Sequence, residues 1–180
     1  MQCSAPLSRR RLLGFAAPLL LGLSSGRAAE AALRERSVTF HHLHTGESLR
    51  TTYFADGRYL EDELRRASWL LRDWRAQRAR AVDPELLDTL WSLRQRLESS
   101  SPIQVICGYR TPQTNAMLRR RSEGVARNSF HLKGMAVDLR VQGRSLRQVR
   151  AAAASLRAGG VGYYPSSNFV HVDTGQVRYW

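Results

Sequence analysis

Residues 129–138 read Ser-Phe-His-Leu-Lys-Gly-Met-Ala-Val-Asp, and the organisation of the chain follows outward from this stretch. His131 and Asp138 lie seven residues apart within it. Apolar and polar residues alternate over residues 135–141, which predicts a strand, because successive side chains of a strand point to opposite faces. Asp138 is therefore expected on the face away from the apolar side chains, with His131 just before the strand.

A second histidine–carboxylate pair, His171 and Asp173, lies in the apolar stretch 169–173. Residues two apart on a strand share a face, so these two side chains are expected side by side. His131, Asp138 and His171 can together supply three protein ligands to Zn²⁺, and the open fourth position is the mark of a catalytic site. From spacing alone, a structural or exposed position for each histidine remains the alternative.

The remaining hydrophobic pattern predicts an α+β domain, a small and largely antiparallel sheet packed with helices. The predicted strands are 37–43, 49–54, 103–107, 135–141, 161–164, 169–173 and 177–180. The predicted helices are 59–79, 84–97, 112–121 and 145–158, the last three with capping residues at their starts. A loop is expected over residues 122–130.

The first 29 residues have the features of an export signal rather than of the fold. A basic start is followed by an apolar run over residues 12–23, which is shorter than the roughly 20 residues of a membrane-spanning helix. Residues 8–13, Ser-Arg-Arg-Arg-Leu-Leu, resemble the twin-arginine export pattern. An ordinary Sec signal is the alternative. Residues 30–180 then form one domain, and no stable membrane insertion is expected after signal cleavage.

The stretch 129–138 resembles the S-x-H-x-x-G-x-A-x-D motif of the zinc D-Ala-D-Ala peptidases, a superfamily that also contains the hedgehog signalling fold. Residues 108–111, Gly-Tyr-Arg-Thr, are similar to its upstream G-Y-R-[ST] motif, and Asn115 falls near its amide position. Residues 168–173, Asn-Phe-Val-His-Val-Asp, supply the downstream histidine. The resemblance covers roughly residues 37–180, and the MepK-type murein endopeptidases are the most similar branch.

This resemblance implies one Zn²⁺ per chain, bound by His131, Asp138 and His171, and hydrolysis of peptide bonds in peptidoglycan. It implies that Arg110 stabilises the oxyanion or holds a substrate carboxylate, since a guanidinium pairs bidentately with carboxylates. The residues implied to contact the substrate are Ser129, Asn115, Asn168 and Tyr109.

The sequence departs from the family pattern at one position. Many relatives carry Glu or Asp three residues before the last histidine as the general base, whereas this chain has Asn168. An amide cannot accept the proton, so Asp173 is predicted to be the base. The alternative is that Asp173 holds His171 in its metal-binding tautomer, as the outer partners of metal ligands do.

Several other side chains are predicted to lie outside the site. The histidines at 41, 42 and 44 lack an acidic partner at a useful spacing and are expected at the surface. Trp69, Trp74 and Trp91 are expected on helices as core or half-buried residues. Cys107 is expected to be a buried thiol. Tyr163 and Tyr164 are expected either to border the substrate groove or to pack in the core.

The leading functional prediction is a periplasmic peptidoglycan endopeptidase. The chain carries a net charge of +13, which suits an anionic wall polymer. The predicted substrate is the bond between two diaminopimelate residues, with D-Ala–diaminopimelate second. A noncatalytic, zinc-containing wall-binding module is the alternative. Nucleic-acid binding is not expected, because the arginines are scattered and no nucleic-acid motif is present.

Overall fold

The computed structural model describes residues 35–122 and 124–180. The predicted export signal at 1–29 lies outside the described residues. Within the described part of the chain, no helix is long and apolar enough to cross a membrane.

The fold is built on one mixed sheet of eight strands in the order β3-β2-β1-β4-β5-β7-β6-β8. Among the strands of the described residues, only the pairs β1–β4 and β6–β8 are parallel, so the predicted α+β fold with a largely antiparallel sheet is confirmed. The short β3 and the parallel pairings were not expected. The strands are β1 Arg36–His42, β2 Ser48–Ala55, β3 Arg58–Tyr59, β4 Ile103–Cys107, β5 Ala136–Val141, β6 Gly160–Tyr164, β7 Phe169–Asp173 and β8 Arg178–Tyr179.

In the described ranges 35–122 and 124–180, four α-helices accompany the sheet, as predicted. They are α1 Glu61–Leu70, α2 Pro84–Arg96, α3 Pro112–Arg121 and α4 Leu146–Leu156. The predicted caps of the last three form, including the capping box of Ser145 and Gln148 at the start of α4. Such caps satisfy backbone N–H groups that have no partner inside the helix. Helix α4 ends before the Gly159–Gly160 pair, because Arg157 already adopts a left-handed conformation with φ 52°.

The prediction of a single helix over residues 59–79 is wrong, because α1 ends at Leu70. The chain turns where the Asp73 carboxylate accepts the backbone N–H groups of Arg75 and Ala76. The same carboxylate accepts the N–H and hydroxyl of Thr111, both at 2.8 Å. These bonds attach the turn to the start of α3 and replace the helical bonds that a longer α1 would make.

The two faces of the sheet have different roles near the predicted site. Val137, Leu139 and Val141 belong to the buried core, which is shared with α2 and α4. Val170 and Val172 of the neighbouring strand point to the same core. The residues between them in sequence therefore point to the opposite face, where Asp138 lies directly across from His171.

Three expectations about isolated side chains need correction. His42 is fully buried rather than at the surface. Trp69 is 51% exposed on α1 and is not a core residue. Trp74 is half-buried as expected but lies in the turn after α1, where it stacks on His44 with ring centroids 4.8 Å apart. Trp91 is half-buried on α2, as expected.

Candidate metal centre and substrate cleft

Three predicted ligands meet on the open face of the β5–β7 pair. Nε2 of His131 lies 3.2 Å from Oδ1 of Asp138 and 3.2 Å from Nδ1 of His171. Nδ1 of His171 lies 2.8 Å from the same Asp138 oxygen. All three residues are buried, and they come from two strands and the segment before β5. The arrangement brings one carboxylate oxygen and two imidazole nitrogens together, as the sequence predicts.

The distances suit a tetrahedral zinc ion. Zn²⁺ binds His nitrogen and carboxylate oxygen at about 2.0–2.1 Å, which places neighbouring ligand atoms about 3.3 Å apart. The atoms of His131, Asp138 and His171 are separated by 2.8–3.2 Å, so they already form one face of such a tetrahedron. The residues present therefore fit the metal that the resemblance implies.

The backbone around His131 fixes the direction of its ring. Nδ1 of His131 donates to the carbonyl oxygen of Gly108 at 2.7 Å, which leaves Nε2 free to face the other two ligands. His131 lies in a short 3₁₀ helix, Phe130–Lys133, and its own N–H donates to the Ser129 hydroxyl. Gly134 ends this helix with φ 73°, and a Cβ there would lie 2.5 Å from the Ala81 carbonyl oxygen.

The charges around the three ligands favour a cation between them. Burial opposes ionisation of Asp138, but attraction and hydrogen bonds from His131 and His171 outweigh it and lower the Asp138 pKa. Burial also disfavours a charged His171, yet bonds to Asp138 and Asp173 raise its pKa to about 8. Burial lowers the pKa of His131, which keeps that imidazole neutral, as metal binding requires.

Asp173 lies behind His171 and not beside the ligand atoms. Its Oδ2 accepts from Nε2 of His171 at 2.9 Å, on the opposite side of the ring from Nδ1. Arg178 donates to both carboxylate oxygens, at 3.1 and 2.6 Å, and the N–H groups of Gly160 and Gly175 donate to Oδ1. Asp173 is fully buried. Both carboxylate oxygens already accept hydrogen bonds, which favours the alternative of orienting His171 over the predicted role of general base.

A cleft of about 340 Å³ opens over the ligands. Asp138 and His171 line its floor, and Arg110 and Ser129 line one wall. Arg110 is 8% exposed and donates from Nη2 to the Ser129 hydroxyl at 3.2 Å, while its Nε has no partner among the described residues. A buried guanidinium with a free donor beside a cleft is suited to an anionic group of a ligand.

The other three predicted substrate contacts do not line the cleft. Asn115 is buried and donates to the carbonyl oxygen of Ala126, so it supports the loop that forms part of the cleft wall. Tyr109 is half-buried and bound through its N–H to the Leu71 carbonyl oxygen. Asn168 is exposed in a turn with φ 56°, a left-handed conformation that asparagine tolerates better than most residues. Backbone conformation thus gives a reason for the amide at position 168.

Comparison with known proteins identifies the family. The family model described as "Peptidoglycan L,D-endopeptidase MepK" matches residues 30–180. The chain belongs to this family. It is 46% identical over 177 residues to the Peptidoglycan L,D-endopeptidase MepK of Escherichia coli K12, which covers 96% of this chain and 97% of that protein. It is 45% identical over 148 residues to the Probable peptidoglycan L,D-endopeptidase MepK of Haemophilus influenzae, an alignment that covers 82% of this chain and 80% of that protein.

Membership of the MepK family confirms two predictions, the resemblance itself and the assignment of the chain as a peptidase. The three residues that converge in the structure are the ones on which the resemblance depends. The match also covers the G-Y-R segment, which supplies the Gly108 carbonyl to His131 and places Arg110 in the cleft.

The unpredicted residues that line the cleft include Phe130, Phe169, Arg178 and Trp180. The guanidinium of Arg178 lies over two of these aromatic rings, 5.1 Å from the Phe130 centroid and 4.9 Å from the Trp180 centroid. Only the parallel pairing of β8 with β6 brings Arg178 and Trp180 to the site, and no short-range pattern predicts that pairing. Tyr164 also lines the cleft, whereas Tyr163 packs against the core.

Cys107 is half-buried and lies across from Asp138 in the β4–β5 pair. Its sulfur and ligand atoms of His131 and Asp138 all lie within 4.8 Å of one another. Burial raises the pKa of this thiol to about 12, and the sulfur contacts the Gly108 carbonyl oxygen. A protonated thiol is a poor metal ligand, so the described geometry favours His171 as the third ligand.

Proposed function

We propose that the chain is a zinc-dependent endopeptidase that hydrolyses peptide cross-links of peptidoglycan. The observation that carries this proposal is the convergence of His131, Asp138 and His171, with ligand atoms 2.8–3.2 Å apart, on the floor of an open cleft. One zinc per chain would bind these three residues and leave a position that faces the cleft.

The bound metal supplies a Lewis acid that polarises the scissile carbonyl and lowers the pKa of water. Arg110 lines the same cleft. Its guanidinium stabilises the negative charge that develops on the carbonyl oxygen, or it binds a carboxylate of the peptide. Ser129 holds the guanidinium in place through its hydroxyl.

Asp173 acts as a positioning residue. Its bond to Nε2 of His171 fixes the tautomer in which Nδ1 can bind the metal. Arg178 and two backbone N–H groups keep the carboxylate ionised and in place, since burial opposes the charge but these donors and His171 together lower the Asp173 pKa.

The favoured substrate is the bond between two diaminopimelate residues, with the D-Ala–diaminopimelate bond second. The curated relatives are named L,D-endopeptidases. A bond between two diaminopimelate residues joins an L centre to a D centre, whereas the D-Ala bond joins two D centres. The name of the relatives therefore supports the first choice.

The proposed site of action is the periplasm, where such cross-links lie. Residues 1–29 would direct export, by the twin-arginine machinery, and residues 30–180 would be the single zinc peptidase domain. The noncatalytic wall-binding alternative rested on the missing acid at position 168. The left-handed turn gives that asparagine a conformational reason as well, so the missing acid by itself does not decide between the two functions.

Digestion of purified sacculi tests the proposed function directly. The purified protein should release muropeptides whose masses identify cleavage between diaminopimelate residues, and a chelator should stop the release until zinc is restored. Asp138→Asn should release nothing under the same conditions. Unchanged digestion in chelator would contradict zinc dependence, and binding to sacculi without release would favour the noncatalytic module.

A further inference from the structure

Part of the cleft lining is aromatic. Tyr164, Phe169 and Trp180, here called the aromatic wall, line the same cleft as the metal ligands. The rings of Tyr164 and Phe169 stack with centroids 4.6 Å apart and an interplanar angle of 22°. The ring of Trp180 lies 5.5 Å from that of His171. The apolar surface thus begins immediately beside a metal ligand.

Trp180 is held rigidly even though it is 45% exposed. Its Nε1 donates to the Tyr164 hydroxyl at 2.7 Å, and its backbone bonds to Val161 and Tyr163 of β6. The ring lies against Gly162, where a Cβ would be 2.7 Å from the ring carbons. The absence of a side chain at Gly162 therefore leaves the space that this indole occupies.

A fixed and exposed indole is suited to binding. Aromatic side chains offer a large contact area and have few rotamers to lose, which is why they are enriched at recognition surfaces. The guanidinium of Arg178 lies over the Trp180 ring, and the exposed part of the ring is available for a ligand to contact. The guanidinium of Arg110 lines the same cleft and supplies a positive charge. The aromatic wall and this charge together fit a ligand with an aliphatic segment next to a charged or strongly polar group.

We propose that the aromatic wall is the specificity element of the cleft and binds the methylene chain of diaminopimelate at the bond that is cut. This inference rests on the proposed function and names the part of the substrate that the wall recognises. Diaminopimelate has three methylene groups between its two α-carbons, and this segment matches an apolar wall. Alanine at the same position has only a methyl group, so the wall would distinguish the two cross-links proposed above.

The first test compares steady-state constants on a purified dimer cross-linked through two diaminopimelate residues. Trp180→Ala should raise KM about tenfold or more, as expected when a pocket loses its contact with several methylene groups, and kcat should change by less than about threefold. Gly162→Ala, which displaces the ring without removing it, should also raise KM. Trp69→Ala removes an equally exposed tryptophan on α1 and should leave both constants unchanged.

Zinc content separates a binding role from a structural one. Trp180→Ala and Gly162→Ala should each retain one zinc per chain. Loss of zinc in both variants would overturn the proposal, because the wall would then act by positioning His171. An unchanged KM in both zinc-loaded variants would also overturn it. The proposed function would not be affected by that result as long as the wild-type protein digests sacculi.

Binding without turnover gives a second and independent test. The chain has four tryptophans, so the indole N–H region of a ¹⁵N spectrum has few signals, and Trp180→Phe identifies the one from Trp180. A stem peptide ending in diaminopimelate should shift this signal and leave that of Trp69 unchanged. The same peptide with alanine in place of the terminal diaminopimelate should bind at least about tenfold more weakly. Equal affinity for the two peptides, or no shift at Trp180, would contradict the assignment.

Discussion

The molecule contains two regions with buried histidines, and they differ in their partners. His42 at the end of β1 and His131 before β5 are both fully buried, and burial lowers the pKa of each. His42 accepts one backbone N–H at Nδ1, and its Nε2 has no partner among the described residues. His131 donates to a backbone carbonyl and faces Asp138 and His171 with its second nitrogen.

This difference shows that burial of a histidine does not by itself mark a metal site. The convergence of a second imidazole and a carboxylate on one nitrogen marks it, together with an acceptor that fixes the tautomer. The first region lacks these partners, since Glu47, its nearest acid, is bound to Arg72 and Thr45. The prediction that His42 is not a ligand agrees with these contacts, although its predicted exposure was wrong.

The same substitution at both histidines should give the largest difference. His131→Asn should reduce hydrolysis of sacculi below detection, because it removes one of the three proposed ligands. His42→Asn should keep activity close to wild type, because no described contact joins it to the cleft. Release of soluble muropeptides measures both variants. Equal activity in the two variants would remove the distinction between the regions.

Arg110→Met is expected to have the next largest effect. A single donor to a developing oxyanion contributes about 10²–10³-fold in rate, so kcat should fall by that amount while zinc content stays the same. If Arg110 instead binds a substrate carboxylate, KM should rise and kcat should change little. Constants on a purified dimeric muropeptide separate these outcomes, and an effect on neither would exclude both roles.

Asp173→Asn should weaken zinc binding by about 10–100-fold, the usual effect of replacing an outer partner of a ligand. Activity should return to near wild type in excess zinc, because the substitution does not alter a reacting group. Competition with a chelator of known affinity measures the binding. A large loss of kcat that persists at saturating zinc would restore Asp173 as the general base.

The smallest effect is expected from acid titration of the first region. Burial is the main reason that the pKa of His42 falls from 6.5 to about 4, with His44, Arg72 and His41 adding to it and Glu47 opposing it. The unfolded chain therefore binds a proton that the folded chain does not, and stability falls as pH drops through 6.5. Between pH 7 and 5.5 this costs about 1 kcal/mol. His42→Asn should lose this part of the pH dependence in denaturant unfolding, and an unchanged slope would contradict the burial argument.

Much of the fold could be predicted because its signals are local. Alternation in 135–141 and the caps at Asp83, Thr111 and Ser145 depend on neighbouring residues, and these elements formed where expected. The helix predicted over 59–79 failed because bonds between Asp73 and the distant Thr111 end it early. Hydrophobic periodicity does not predict hydrogen bonds between residues so far apart in the sequence.

The site likewise contains residues that the sequence predicts and residues that only the long-range strand pairing brings in. Spacing and strand alternation predict that Asp138 and His171 lie close together, because β5 and β7 are neighbours in the sheet, and the family resemblance indicates that they and His131 are metal ligands. Arg178 and Trp180 join the site only through the pairing of β8 with β6, and the orientation of Asp173 behind His171 depends on them. The shared strand face of His171 and Asp173 did not indicate these contacts, so the choice between a general base and an orienting partner could not be made from strand alternation alone.

The most direct test of the account is the zinc content of the wild-type protein, His131→Asn and His42→Asn after dialysis against metal-free buffer. The account predicts one zinc per chain in the wild type and in His42→Asn, and almost none in His131→Asn, with all three proteins folded by circular dichroism. Retention of one zinc by folded His131→Asn would contradict the assignment of the metal centre.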